Sequence, residues 1–194
     1  MKLGFKQLLP LFLLTACHPY QTYQENLRKP EGIKTLRLSN GKFLTTPDRI
    51  EEFENLEKLY LFSNKIREVA PEIGELKSLR RLVLSNNDID SLPSEIGQLE
   101  NLEFLSLSGN NLKHLPPEIG NLKKLKILKL QFNNFYTLPP EIGNIPNLKI
   151  LSITRNNLIH IPKEIGNIVS LTELNLYRSG VPCNYQQAFV SLRI

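Results

Sequence analysis

Apolar residues recur along this chain with a fixed spacing of 23 residues. In each unit the first, fourth and sixth positions are apolar, and the positions between them are mostly polar. This short alternation predicts a β-strand with one buried face in every unit. Seven units follow one another without insertion or deletion, and they begin at Ile33, Leu56, Leu79, Leu102, Leu125, Leu148 and Leu171.

The ninth position of the unit is polar and nearly constant. A side-chain amide at this position can turn the chain after the strand and can satisfy backbone groups of the turn and of the next coil. The column therefore predicts a ladder of hydrogen bonds between units. It holds Asn64, Asn87, Asn110, Asn133 and Asn156, with Gly41 in the first unit and Ser179 in the last.

The second half of each unit predicts a short helical turn. Residues 92–99 read Leu-Pro-Ser-Glu-Ile-Gly-Gln-Leu, and the same pattern recurs from Leu115, Leu138 and Ile161. Proline fixes the backbone for a first helical turn, and the glutamate two residues later suits the positive end of a helix. The segment is too short to be a stable free helix, so stacking against neighbouring units must hold it. Gly97 and its copies would permit close backbone packing.

The complete pattern, L-x-x-L-x-L-x-x-N-x-L followed by L-P-x-E-I-G-x-L, resembles the 23-residue class of leucine-rich repeat. Residues 20–180 are similar to the leucine-rich repeat lipoproteins of spirochaetes, whose first segment resembles residues 23–30, 33–39 and 44–47 here. The resemblance implies an α/β solenoid: an open horseshoe arc with a parallel concave sheet of about seven short strands, and with short helices or 3-10 turns on the convex side. It also implies export, binding of host or bacterial proteins, and no catalytic residues. Eukaryotic scaffolds and plant receptors share the repeat and imply protein binding in another compartment.

The pattern divides the chain into four parts. These are a lipoprotein signal peptide over 1–16, a tether and N-terminal cap over 17–32, the repeats over 33–180 and a C-terminal cap over 181–194. A helix from Gln21 to Lys29 would place Tyr23 and Leu27 over the first repeat. The basic final helix of the family is not recognisable after Val181, so the far end is expected to fray. The lid expected there consists of Phe189, Leu192 and Ile194.

The first 16 residues resemble a lipoprotein leader. Lys2 and Lys6 precede an apolar stretch over 8–14, which is too short to span a bilayer. Residues 14–17, Leu-Thr-Ala-Cys, resemble the lipobox, in which the cysteine is acylated. Two or more acyl chains on Cys17 would anchor the chain stably in a membrane, so we expect an outer-membrane or cell-surface lipoprotein. The alternatives are secretion with an unmodified Cys17 and an intracellular signalling scaffold without a signal peptide.

Ligand recognition is expected on the concave face. Positions three, five, seven, eight and ten of each unit are predicted to face solvent there, since the other positions are occupied with packing. Aromatic residues and arginine anchor many protein interfaces, although β-propensity alone also favours aromatics on strands. The predicted site comprises Arg37, Lys58, Tyr60, Phe62, Arg81, Phe104, Lys129, Phe132, Arg155, Tyr177 and Arg178.

The net charge of +5 averages over two differently charged faces. Without Lys2 and Lys6 the chain has 22 basic against 19 acidic residues. The concave positions hold eight basic residues against Asp88 and Glu173, so the remainder of the mature chain is net negative. This distribution favours a protein partner with an acidic surface. It leaves open a glycan- or matrix-binding adhesin, whose binding would weaken with salt, and a structural envelope protein without a specific ligand. No dense basic stripe indicates nucleic-acid binding.

No arrangement of side chains indicates catalysis, a metal or a cofactor. His114 and His160 occupy the same position two units apart, about 10 Å by strand spacing, which is too far for one metal. A column of glutamates is explained by its place at helix starts. Cys183 has no histidine near it in sequence or in register that would make it a nucleophile. We therefore expect a monomeric binding protein that is not an enzyme.

Overall fold

The computed structural model describes residues 18–181, and these form a single parallel sheet with short helices on its other side. The strands lie side by side in sequence order, and each residue pairs with the residue 23 positions later, as Leu36 does with Leu59. The predicted solenoid with a parallel sheet is confirmed. The seven strands are β1 (Thr35–Arg37), β2 (Lys58–Tyr60), β3 (Arg81–Val83), β4 (Phe104–Ser106), β5 (Ile127–Lys129), β6 (Ile150–Ser152) and β7 (Glu173–Asn175).

Every helix of the repeats in the described part of the chain is a 3-10 helix. Each of the five longer helices begins at a proline or directly after one. Each ends where an apolar residue such as Leu99 turns back into the core. Within residues 18–181, no helix has both the length and the apolar character needed to cross a bilayer. The 3-10 helices span Pro30–Gly32, Ile50–Glu52, Pro71–Glu75, Ser94–Gln98, Pro117–Asn121, Pro140–Asn144 and Lys163–Asn167.

The apolar columns of the repeat form one continuous core. In the third repeat Leu79, Leu82, Leu84 and Ile89 are all fully buried, and the corresponding residues of the neighbouring repeats pack against them. A single repeat would leave these side chains open on the two flanks where its neighbours stack. Burial therefore depends on stacking, which couples the stability of each repeat to that of its neighbours.

The asparagine column forms the predicted ladder, but its bonds reach the preceding coil and not the next one. Asn110 Nδ2 donates to the carbonyl of Leu107 in its own turn (2.9 Å) and to that of Leu84 in the coil before (3.0 Å). Its Oδ1 accepts from the backbone N–H of Ile89, also in the coil before (3.1 Å). The direction follows from the sheet. The carbonyls of Val83 and Ser85 accept from the preceding strand, so the carbonyl of Leu84 between them is left for the asparagines.

An α-helix, α1 (His18–Asn26), covers the first repeat. It begins and ends three residues earlier than predicted, with Pro19 in its first turn, where the missing N–H of proline carries no penalty. Tyr23 is buried against the rings of Phe43 and Phe53, and its hydroxyl donates to the carbonyl of Asp48. This burial raises the pKa of Tyr23 above its ordinary value. Leu27 also packs on the core, as expected of a cap.

The two ends of the chain carry predictions that this structure does not address. The leader with Lys2 and Lys6, the acylation site Cys17, the thiol Cys183 and the expected C-terminal lid all lie outside the described residues.

The asparagine ladder ends at Ser179, which occupies position nine of the last repeat. Its hydroxyl is buried and has no hydrogen-bond partner among residues 18–181.

Candidate functional site

The open face of the sheet carries the predicted site, and we call it the concave face. The middle residue of each strand points into the core, whereas its two neighbours point outward, as Phe104 and Ser106 do on either side of Leu105. Parallel register aligns these outward residues into rows across the repeats. The rows bring together side chains that lie 23 or 46 residues apart in sequence.

Not every position in these rows is exposed, which corrects the sequence prediction. Ser106 and Ser152, both at position five, are buried. A serine side chain is short, and both residues have the much longer Lys129 as a neighbour in the register. Ser106 Oγ also shares a hydrogen bond of 2.6 Å with Ser85 Oγ, so part of the floor of this face is already paired.

The predicted aromatic and basic residues come together in three groups. In the central group the Arg81 guanidinium carbon lies 4.0 Å from the centre of the Phe104 ring, and Lys129 Nζ lies 5.7 Å from the same centre. Lys58 is adjacent to Arg81 in the register. Cation–π attraction of this kind holds both partners in defined positions, so the group is organised before any ligand arrives.

The other two groups lie toward the two ends of the face. At the N-terminal end Arg37 lies 5.2 Å from the centre of the Tyr60 ring, with the exposed Phe62 two residues further on. At the C-terminal end Arg155 lies 4.9 Å from the centre of the Phe132 ring, and Arg178 lies 5.2 Å from that of Tyr177.

Exposure of the aromatic side chains is greatest toward the C-terminal end. Tyr60 and Phe104 are only half-buried, and Phe62 is 39% exposed, whereas Phe132 is 54% and Tyr177 is 64% exposed. The sequence contained no sign of this gradient, because all five residues occupy outward positions. The most accessible aromatic surface on this face is therefore in repeats five to seven.

A row of ion pairs runs beside the concave face at position two, and the sequence analysis did not identify it. Lys126 Nζ lies 2.6 Å and Arg80 3.5 Å from the carboxylate of Glu103, and Lys34 Nζ lies 3.1 Å from that of Glu57. Hydrogen bonds from lysine lower the pKa of both glutamates. The alternating signs at residues 34, 57, 80 and 103 were the available signal.

The predicted cations differ from this row because they lack carboxylate partners. Of the basic residues in the predicted site, none has an acidic group within 4.0 Å among residues 18–181. Glu57 and Glu103, which precede β2 and β4, are already engaged with position-two cations. Glu173, which begins β7, accepts a hydrogen bond from Asn175 Nδ2 and forms no ion pair among residues 18–181. The concave face therefore keeps an uncompensated positive charge, as the sequence predicts.

Position eight of every repeat has a left-handed backbone. The value of φ lies between 52° and 70° in all seven repeats, which reverses the chain after the strand. Repeats one to four have small residues at this position: Asn40, Ser63, Asn86 and Gly109. Asparagine and glycine are the residue types that tolerate the left-handed region best. Repeats five to seven place Phe132, Arg155 and Arg178 there instead.

The histidines that were considered as metal ligands lie apart from these groups. His114 and His160 are both exposed, and His160 Nε2 is 3.4 Å from Thr137 Oγ1 of the repeat between them. Within the part of the chain described, no three His, Cys, Asp or Glu residues lie close enough to hold a metal ion.

Comparison with known protein families shows which family the chain belongs to. The family described as a leucine-rich repeat region matches residues 95–192, and a second leucine-rich repeat family matches residues 54–112. The chain belongs to the leucine-rich repeat family. Leucine-rich repeats typically form scaffolds for protein–protein interaction and not enzymes, which agrees with an open sheet that presents its side chains to solvent. No curated protein matches this leucine-rich repeat chain.

Several solved leucine-rich repeat structures are similar to it. A leucine-rich repeat protein of Leptospira interrogans is 29% identical, with a TM-score of 0.49, and the match covers 80% of this chain and 57% of that one. The plant peptide hormone receptor RGFR1, solved in complex with RGF2, is 34% identical with a TM-score of 0.67 over 74% of this chain. The Arabidopsis receptor kinase HAESA, in complex with the peptide hormone IDA and a co-receptor, is 30% identical with a TM-score of 0.67 over 76%. The chain spans only 24% and 26% of these two receptors.

Proposed function

We propose that this protein is an exported, lipid-anchored leucine-rich repeat protein that binds another protein through its concave face. The observation that carries the proposal is the set of three cation–aromatic groups on the open sheet, whose cations lack carboxylate partners among residues 18–181. The peptide complexes of the two plant receptors support a polypeptide ligand, because the chain matches both at 30% identity or above.

The groups have the properties of interface anchors. Aromatic and arginine side chains contribute a large share of the binding energy in protein complexes. In each group the ring and the cation already contact one another, so fewer rotamers are lost when a partner binds. Apolar rings beside unpaired cations suit a protein surface that presents acidic and apolar side chains together.

Replacing Tyr60, Phe62 and Phe104 together with alanine should weaken partner binding at least about tenfold, because it removes the rings of two groups. The wild-type domain and the variant are immobilised, and partner proteins captured at physiological salt are quantified by mass spectrometry. Circular dichroism verifies that the variant is folded.

A matched control replaces three exposed apolar residues that lie off the concave face, Leu44, Ile159 and Val169, with alanine. Partners should be retained by this control. If the Tyr60, Phe62 and Phe104 variant keeps its partner proteins and the control loses them, the binding surface lies elsewhere on the solenoid.

The lipid anchor rests on the sequence of the leader, and its test is direct. In a bacterial host grown with an alkyne fatty acid, the wild-type chain should become labelled and the Cys17→Ala variant should not. The Cys183→Ala variant should keep the label, since only Cys17 lies in the lipobox. Label that survives Cys17→Ala would contradict the anchor. A wild-type chain that is never labelled would also contradict it and would leave secretion with an unmodified Cys17 or an intracellular scaffold. Fractionation of the labelled cells then tests the proposed outer-membrane or surface location.

A further inference from the structure

Three residues at position eight have a backbone conformation that suits none of them. Phe132, Arg155 and Arg178 have φ values of 56°, 53° and 52°, in the left-handed region that side chains other than Gly and Asn rarely adopt. At the same position of the first four repeats the chain has Asn40, Asn86 and Gly109, with Ser63 in repeat two. The solenoid therefore tolerates better-suited residues there, and repeats five to seven do not use them.

The turn itself does not require these large side chains. The backbone N–H of Phe132 donates to Thr154 (3.0 Å) just as that of Asn86 donates to Ser108 (2.8 Å), so the turn is built in the same way with either residue. The side chains of Phe132, Arg155 and Arg178 are all exposed. Strained residues that the fold does not require are concentrated at ligand-binding sites in proteins.

The same residues form an uncompensated positive patch. Arg155 and Arg178 occupy equivalent positions of adjacent repeats, about 5 Å apart along the stack. Among residues 18–181 neither has a carboxylate within 4.0 Å, and each lies over a ring, Arg155 over Phe132 and Arg178 over Tyr177. A ring that holds one face of a guanidinium leaves its N–H edge available, so a carboxylate can accept from both arginines at once.

We propose that Phe132, Arg155, Tyr177 and Arg178 form an arginine–aromatic site for an acidic segment of a protein partner. A glutamate or aspartate carboxylate of that segment lies between the two guanidinium groups, and a neighbouring apolar side chain packs on Phe132. This inference rests on the proposed function and moves the centre of recognition to repeats five to seven. The pairing of unpaired cations with exposed rings suits a polypeptide, because an acidic segment can present carboxylates and apolar side chains next to one another.

The site is tested with a fluorescein-labelled random copolymer of glutamate and tyrosine, whose binding to the full chain is followed by fluorescence anisotropy at physiological salt. Phe132→Asn, and the double variant Arg155→Asn with Arg178→Asn, should each raise Kd at least about tenfold. Both should also raise Tm, because asparagine tolerates the left-handed backbone. Ser63→Asn, at the same position of repeat two, is the matched control and should raise Tm with Kd unchanged.

The combination of weaker binding and higher Tm is the signature of the proposal, since a residue that serves the fold would lower Tm when replaced. A lower Tm for Phe132→Asn would overturn the argument from strain. Unchanged Kd in both variants, with binding lost in the Tyr60, Phe62 and Phe104 variant, would overturn this site and leave the proposed function standing. Unchanged Kd in all of these variants, or no binding of the copolymer by the wild-type chain, would count against both. Heparin binding tighter than the copolymer, sensitive to the arginines but not to Phe132, would identify a glycan occupant and overturn the protein segment.

Discussion

Replacing Asn110 with alanine should lower the free energy of unfolding by about 3 to 5 kcal/mol, because three buried hydrogen bonds disappear at once. Asn110 is only 6% exposed, and its amide bonds the carbonyls of Leu84 and Leu107 and the N–H of Ile89. Alanine leaves the N–H of Ile89 without a partner in the core, where water cannot replace the amide. Urea unfolding followed by circular dichroism measures the effect.

The adjacent residue supplies the control for this prediction. Asn111 is exposed, and its amide makes one long contact of 3.4 Å to the carbonyl of Asp88. Asn111→Ala should therefore change the free energy of unfolding by less than about 0.5 kcal/mol. If the two variants lose the same free energy of unfolding, the buried hydrogen bonds of Asn110 do not stabilise the fold more than the exposed amide of Asn111 does, contrary to the geometry.

Replacing Gly97 with alanine should destabilise the protein by about 2 to 3 kcal/mol through overpacking. A Cβ atom on Gly97 would lie 2.5 Å from the carbonyl oxygen of Glu118 and 2.7 Å from its Cβ, both in the next repeat. Backbone atoms form most of this contact, so a change of rotamer cannot relieve it. The 3-10 helices of the third and fourth repeats would have to separate, and thermal unfolding should show a lower Tm.

Gly32→Ala is the matched control, because Gly32 also lies in a 3-10 helix but a Cβ atom on it would meet no other group within 4 Å among residues 18–181. We expect it to leave Tm unchanged or to raise it slightly, since alanine restricts the unfolded chain. A Tm for Gly97→Ala equal to that of Gly32→Ala would mean that the repeats are packed more loosely than the contacts indicate.

The prediction of the fold succeeded where each signal was local and repeated. The strand, the asparagine turn and the 3-10 helix are each specified by a few adjacent residues, and seven copies in phase identify the repeat. The N-terminal helix occurs once, and it was placed three residues late because no repetition fixed its start. The ladder was predicted toward the wrong neighbour, because the sequence of one repeat does not show which coil has carbonyls to spare.

The candidate site was predicted as a set of outward positions, without its internal arrangement. The sequence named Arg81, Phe104 and Lys129 as members of the site, but only the register and rotamers place both cations at one ring. Burial of Ser106 depends on the length of the side chains beside it, which the alternation of polar and apolar residues does not specify. The ion pairs of Glu103 arise between repeats, so no single repeat reveals them.

By itself, the sequence determined the architecture, because a 23-residue period with apolar, asparagine and proline columns is satisfied only when units stack in register. It also determined which residues face away from the core, and that positive charge gathers there. The tertiary structure alone decided which of those residues touch, which stay exposed and which hold a disfavoured backbone. These properties depend on distances between neighbouring coils, and the left-handed turn at Phe132 becomes informative only beside the asparagines that occupy the same turn elsewhere.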